Sequence, residues 1–235
     1  MKHCIYCHGF ARYIHGKMLE CKECGSIIAT EPAPPYKPDY HAYRFSYLRP
    51  KLYYLGLKAM RSGLKPFQTI ADIGCGAGHA LWWAKFYDCE TIGIDVEEAR
   101  PHCRADNFYS VDKLALTDFR GQVDLVWCWH TIEHTDDPHS ILALTAELLK
   151  PGGQFYLEFP CADYMKQKHD TAEKLYRHST FPEHRGLPSE EWAVQACMRV
   201  GLSLVNCYPP RNPAWLYGKM DDNTDMVVHC EKRKQ

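Results

Sequence analysis

Residues 69–78 read Thr-Ile-Ala-Asp-Ile-Gly-Cys-Gly-Ala-Gly, an apolar run that ends in three glycines at alternate positions. Such a run is strand-like, and the segment after it, Gly78–Phe86, has the pattern of a helix. Three closely spaced glycines serve a backbone that turns sharply and lets a ligand approach it. A second apolar run, Thr91–Asp95, ends in a carboxylate. Further on, Val123–Trp129 is a buried-type strand and Pro138–Leu149 a helix with Pro138 in its first turn. Lys150-Pro151-Gly152-Gly153 stops that helix, and Gln154–Phe159 is the next strand. Ser189 caps a helix to Val200, with Glu190 and Glu191 in its first turn and Gly201 at its end. Leu202–Cys207 and Asp225–His229 read as a last strand pair. Strands alternating with helices predict a parallel α/β sheet. Residues 161–187 show no period and are expected to form a loop or lid.

The glycine spacing selects a ligand. Pyrophosphate sites want G-x-G-x-x-G at a helix start. Here the order is G-x-G-x-G, and Asp72 stands just before the turn, where its charge would repel a pyrophosphate and attract a cationic amino-acid group. That favours S-adenosylmethionine over NAD, with Asp95 accepting the ribose hydroxyls. A glycine turn without any ligand is the plainer alternative.

The first 30 residues are a different kind of chain. Cys4-x2-Cys7 and Cys21-x2-Cys24 put two pairs of thiols on tight turns, the arrangement of a four-thiolate Zn²⁺ site. Gly25 after the second pair suits a turn that needs positive φ. Four thiolates leave no open position, so the zinc would be structural; redox pairs are the other reading. The remaining eight of the twelve cysteines are scattered singly, as reduced cytosolic thiols are. Four prolines follow (Pro32, Pro34, Pro35, Pro38), which read as a stiff linker. Next comes Tyr36–Lys65, with seven basic residues against Asp39 alone and six interleaved tyrosines. The expected organisation is a zinc ribbon over 1–30, a Pro-rich linker and Tyr-rich basic helical segment over 31–66, and the cofactor-binding domain over 67–235.

Lys+Arg 28 against Asp+Glu 29 gives a net charge of −1, so no global field draws in a polyanion. No apolar run approaches the ~20 residues needed to span a bilayer. The start of the chain has no apolar h-region. The sequence therefore predicts a cytoplasmic protein with no membrane span. Its oligomeric state is not legible.

Asp72-Ile73-Gly74-Cys75-Gly76-Ala77-Gly78 resembles the D-x-G-x-G-x-G motif of the class I S-adenosylmethionine-dependent methyltransferases. Asp95 falls at that family's ribose-binding position, and Asp112, twelve residues before Asp124, at its adenine-edge position. Val123-Asp124-Leu125-Val126 is similar to the family's F-D-x-V strand, with Val123 replacing the aromatic residue. Ile132-Glu133-His134-Thr135-Asp136-Asp137-Pro138 resembles its L-E-H-x-x-D-P turn, and Leu149–Gly153 its L-K-P-G-G segment. The resemblance covers about Thr69 to Glu231. It implies a Rossmann-like sheet that binds S-adenosylmethionine through Asp72, Gly74, Cys75, Gly76, Gly78, Asp95, Val96, Asp112 and Trp129. The N-terminal part is similar, more loosely, to members with a fused zinc ribbon that accompany sugar and surface-glycan biosynthesis.

Methyl transfer to a hydroxyl needs a general base, and a base belongs after the fourth strand of the sheet. His130 and His134 lie there, and His178 or His184 in the 161–187 segment is a further candidate. His134 also reads as a structural partner of its turn, and His130 as a residue that only lines the pocket. No close ligand spacing joins His169, His178 and His184 into a metal site. The first reading is a methyltransferase acting on a small sugar-like or phosphorylated acceptor. An RNA or DNA methyltransferase, with the ribbon and Tyr36–Lys65 as its nucleic-acid surface, is the alternative. The ribbon's near-neutral charge weakens that case, and an amphipathic helix packed on the sheet is another reading of Tyr36–Lys65. An inactive binding protein of the same fold is a third reading.

Overall fold

The computed structural model describes residues 2–32, 69–85, 88–111, 119–179, 181, 183–209 and 224–233. Asp112, most of the proline cluster and the Tyr36–Lys65 segment lie outside the described residues.

Cα packing divides the chain into two compact units. One comprises Tyr36–Trp129, Thr145–Tyr156 and Glu231–Gln235; the other comprises Met1–Pro35, His130–Leu144 and Leu157–Cys230.

The unit with the glycine motif is organised around β5 (Thr69–Ile73), which pairs in parallel with β6 (Glu90–Asp95) on one side and β8 (Val123–Trp129) on the other. Strand β7 (Asn107–Ser110) adds to β6, also in parallel. Leading from β5 to β6 is α1 (His79–Ala84). Its Ala80, Leu81 and Ala84 are buried against Ile70, Leu125 and Trp127. All seven residues of β8 are apolar except Asp124, and the run is buried through Cys128, as a strand covered on both faces must be. Asp124 is 5% exposed. Its carboxylate accepts from the Thr69 backbone N–H at 3.0 Å and forms an ion pair with Lys150. Two segments of the family pattern are thus held together by one buried carboxylate and a half-exposed lysine.

In the other unit, the first 30 residues fold as β1 (Lys2–His3), β2 (Phe10–His15), β3 (Met18–Cys21) and β4 (Ile27–Ala29), an antiparallel meander. A fifth strand, β10 (Gly186–Leu187), comes from far along the chain and pairs with β4. The segment expected to be a loop or lid is instead largely helical. Its helices α3 (Ala162–Lys168) and α4 (Ala172–His178) contribute Met165 and Leu175 to an apolar cluster with Met18, Ile27 and Leu187. These helices are short and amphipathic on one side only, so periodicity over the whole stretch is weak, and burial against the ribbon supplies what propensity does not.

The remaining elements are α2 (Pro138–Leu148), β9 (Leu149–Pro160), α5 (Glu190–Arg199), β11 (Leu202–Tyr208) and β12 (Asp225–Lys232). Strand β9 begins before the expected Gln154, and β9 and β12 each run through both units. The hydrogen-bonded order of the large sheet is β11-β12-β9-β8-β5-β6-β7. Ser189 caps α5 as expected, accepting from the Trp192 N–H at 3.2 Å, and its own N–H donates to Ser26 Oγ at 2.9 Å. No helix among the described residues is long and apolar enough to cross a membrane.

Ser189 is 2% exposed and serves as both helix cap and tie to the ribbon. Replacing it with alanine removes an N-cap acceptor from a buried site. We expect Ser189→Ala to lower unfolding free energy by ~1–2 kcal/mol, measured by urea denaturation. An unchanged midpoint would show that the cap contributes nothing.

Candidate cofactor site and the histidine–carboxylate cluster

Because β5, β6 and β8 are parallel, their carboxyl ends open on one edge. The chain steps from β5 to β6 and β7, then returns to the other side of β5 with β8. Such a reversal leaves a crevice where ligands bind. The pairs Ile73↔Ile94 and Asp72↔Trp127 bring the Gly74 turn, Asp95 and Trp129 to a common level at that edge.

The turn is built for close approach. Gly74, Gly76 and Gly78 all have positive φ. A Cβ on Gly78 would lie 2.7 Å from the Arg104 backbone nitrogen, so no side chain fits there. The carboxylate of Asp95 accepts from the Gly76 N–H at 2.6 Å and the Val96 N–H at 2.7 Å. These bonds clamp the turn to the end of β6 and fix the acid where a ribose edge would lie; a carboxylate offers about four acceptor positions. Asp72, the acid before the turn, is 5% exposed. Cys75 is buried with its Sγ 3.6 Å from Cys103 Sγ, and burial and that contact hold its thiol well above the ordinary range. Trp129 stacks on Trp127 at 4.7 Å and 23°. The set fits an adenosine cofactor with a cationic end: a ribose acceptor, a buried acid, side-chain-free backbone and an aromatic face.

In the other unit, the residue after β8 begins a second cluster. His130 has a φ of 52°, rare for a residue with a side chain, and its N–H donates to the Glu158 carbonyl at 2.8 Å. The strained backbone aims the imidazole among three carboxylates. Nδ1 is 3.4 Å from Glu133 Oε1, and Nε2 is 3.3 Å from Glu158 Oε1 and 3.7 Å from Asp225 Oδ2. Glu133 is fully buried and Glu158 nearly so. Burial pushes the Glu133 carboxyl up, yet His130, His134 and His184 together hold it below the usual range. His134 sits on the 3₁₀ turn Ile132–His134, with its ring 4.8 Å from that of His184, edge to face. Burial pushes His184 down to about 4, against the opposing pull of Glu133. His178, the third expected candidate, lies at the end of α4 with its ring stacked on His169 at 4.3 Å. The structure therefore gathers His130, His134 and His184, and gives His178 a different neighbour.

Sequence reasoning missed Glu158 and Asp225. A signal existed for Glu158, a lone charge inside the apolar run Phe155–Pro160, where ionised residues are rarely buried without a partner. Asp225 carried none.

The four N-terminal cysteines also converge. Cys4 Sγ lies 3.8 Å from Cys24 Sγ, and Cys7 Sγ lies 3.3 Å from Cys21 Sγ. All four sulfurs are within 4.8 Å of one another. Tetrahedral zinc with Zn–S bonds of ~2.3 Å separates its sulfurs by ~3.8 Å, so the set fits such an ion. The two turns are near copies: Cys4 N–H donates to the Gly9 carbonyl and Cys21 N–H to the Ser26 carbonyl, both at 2.9 Å. The residue after each second cysteine, His8 and Gly25, has positive φ. None of the twelve cysteines forms a disulfide.

A crevice at the carboxyl ends of a parallel sheet, with a glycine turn and an acid at the next strand's end, defines a nucleoside-cofactor-binding α/β domain. Known proteins specify it further. A family described as a methyltransferase domain matches residues 40–206. The ubiquinone biosynthesis O-methyltransferase of Pseudomonas aeruginosa is 33% identical over 198 residues, 74% of this chain and 82% of that protein. The protein of the same name from Methylococcus capsulatus is 33% identical over 95 residues, 36% of this chain and 40% of its own length. Several curated relatives are matched over less than half of their own length. Among solved structures, an S-adenosylmethionine-dependent methyltransferase from Archaeoglobus fulgidus superposes with a TM-score of 0.59 at 18% identity, covering 83% of this chain and 100% of that one. A chain from the complex of the Haloferax volcanii Trm112 methyltransferase activator with a putative methyltransferase gives 0.55 at 18% identity, covering 83% of this chain and 97% of that one. The chain belongs to the class I S-adenosylmethionine-dependent methyltransferase family.

Asp95 is the most accessible test of the cofactor site. Asp95→Ala should weaken S-adenosylmethionine binding by ~1.5–3 kcal/mol, the loss of a charge-assisted hydrogen-bond partner. Isothermal calorimetry that finds unchanged affinity, or binding of NAD instead, would remove Asp95 from that role.

Proposed function

We propose that this chain transfers a methyl group from S-adenosylmethionine to a hydroxyl of a small acceptor, with a structural zinc ion in its ribbon. The observation that carries the reading is His130. A left-handed backbone conformation at a histidine costs energy and persists where surrounding structure enforces it. Here it presents the imidazole to Glu133, Glu158 and Asp225 on the residue following β8. Such surroundings suit a base. A neutral imidazole that takes a hydroxyl proton becomes a cation, and three carboxylates within 3.7 Å favour that cation.

When bound, the cofactor supplies a sulfonium methyl for in-line displacement. The chain's own residues do the rest. The Gly74–Gly78 turn, Asp95 and Val96 position the nucleoside, with Cys75 packed beneath the turn. Asp72 balances the cationic end, and Trp129 offers a π-face. Asp112, outside the described residues, is assigned the adenine edge by resemblance only. His130 holds the acceptor's proton, Glu133 orients His130 through Nδ1, and His134 and His178 are secondary base candidates.

Relatives named O-methyltransferases support an oxygen acceptor. A sugar-like molecule fits a site of carboxylates and imidazoles, which bind hydroxyls. A phosphate beside Glu133, Glu158 and Asp225 would be repelled, so a phosphorylated acceptor draws support only from the basic stretch 36–65. The nucleic-acid alternative leans on that stretch as well. Cys4, Cys7, Cys21 and Cys24 are assigned to Zn²⁺, which would tie β1 and β2 to β3 and β4.

Two outcomes are expected. His130→Ala should cut turnover by ~10²–10⁴-fold while calorimetric cofactor affinity stays near wild type. A small loss falling mainly on acceptor KM would make His130 a lining residue. Elemental analysis should find about one zinc tied to the cysteines, and Cys21→Ser/Cys24→Ser should lose it. Zinc unchanged in that variant would place the metal elsewhere.

A further inference from the structure

We propose that Glu133, His134 and His184 form a second metal site, one that takes a divalent transition-metal ion through nitrogen and oxygen ligands. The hydrogen-bond roles of these three residues point to it, whatever the acceptor is. His134 Nδ1 lies 3.0 Å from the Glu183 carbonyl oxygen. A carbonyl only accepts, so Nδ1 carries the hydrogen, and in the neutral ring Nε2 holds a lone pair. That Nε2 faces Glu133 Oε1 at 4.0 Å. The buried Nδ1 of His184 has no hydrogen-bond partner among the described residues. Oε1 of the fully buried Glu133 meets His130 Nδ1 at 3.4 Å, while its Oε2 has no hydrogen-bond partner among the described residues.

Acceptors therefore face acceptors. One ligand atom from each of the three residues lies within 4.8 Å of the others. Leaving Glu133 Oε2 and His184 Nδ1 buried without a donor is costly. A cation satisfies them together with His134 Nε2, because each lone pair becomes a ligand. The anchoring of His134 through its other nitrogen to a backbone carbonyl is the arrangement that orients metal-binding histidines. Two imidazoles with one carboxylate favour zinc, cobalt, manganese or iron(II) over magnesium or calcium. Ligand bonds of ~2.1 Å require only small side-chain rotations from the present spacing. His134 is 46% exposed, so the ion would have a solvent-facing side open to water or to an acceptor oxygen. It would also pin the 183–187 segment, which supplies β10, to the turn after β8. The same two segments are already joined by the Arg185 N–H to the Glu133 carbonyl and by the Arg185–Asp136 ion pair.

The test is cobalt(II) titration of the full chain after chelation, followed by absorption spectroscopy and elemental analysis. Wild type should take two equivalents: one with intense thiolate-to-cobalt bands from the cysteines, one without them. Glu133→Gln and His184→Gln should weaken the band-free equivalent by at least ~100-fold, more than the loss typical of an outer-shell partner, while the thiolate bands persist and show the ribbon is folded. His134→Gln, at a half-exposed position, should do the same with least risk to folding. A wild-type protein that binds cobalt only through its thiolates would overturn the proposal. So would a band-free equivalent that survives all three substitutions.

Discussion

Parallel pairing on both sides of β5 is the constraint on which the cofactor site depends. It sends the ends of β5, β6 and β8 to one edge, so residues far apart in the chain meet there. The glycine turn can then be held by Asp95, because the turn follows β5 and Asp95 ends the adjacent β6. The buried Asp124, bonded to the Thr69 N–H and paired with Lys150, keeps β8 and β5 in that arrangement from the opposite end of the strands. Without Lys150, Asp124 would be a buried charge compensated only by the Thr69 N–H, a larger penalty than a surface ion pair is worth.

The ribbon unit is held differently. Its strands are too short to bury a core, and they borrow one: Met165, Leu175 and Leu187 cover Met18 and Ile27. The knuckle residue Tyr6 is anchored through its carbonyl, which accepts from Trp192 Nε1 and contacts His139 Nε2, each at 2.6 Å. A metal at four cysteines would tighten the turns, but apolar burial and these polar ties already integrate the ribbon with α2, α3 and α5. Small domains commonly need such help, because surface outweighs volume below about 40 residues.

Motifs with short-range chemistry were legible. The glycine turn, its helix, the Ser189 cap, the two cysteine pairs and the apolar strand β8 each declare themselves within ten residues or so, because the backbone or ligand demand is local. The 161–187 segment was not. Its helices have only two turns each, and what fixes them is contact with residues 18 and 27, more than 130 positions away. The start of β9 is hidden in the sequence for a related reason. Pro151, Gly152 and Gly153 read as a stop, yet the chain is extended from Leu149 onward.

The sequence by itself determined the cofactor class, the parallel α/β sheet and the four-cysteine cluster, since each rests on spacing within a single turn or strand. Only tertiary structure decided what surrounds His130. Glu133 is three residues away, but Glu158 and Asp225 arrive on β9 and β12, and His184 on the segment that supplies β10. Charges meet across strands because sheet order, which sequence periodicity does not encode, chooses the neighbours. The same order turned a histidine of unremarkable context into one held among three carboxylates, and set two more histidines against a buried acid.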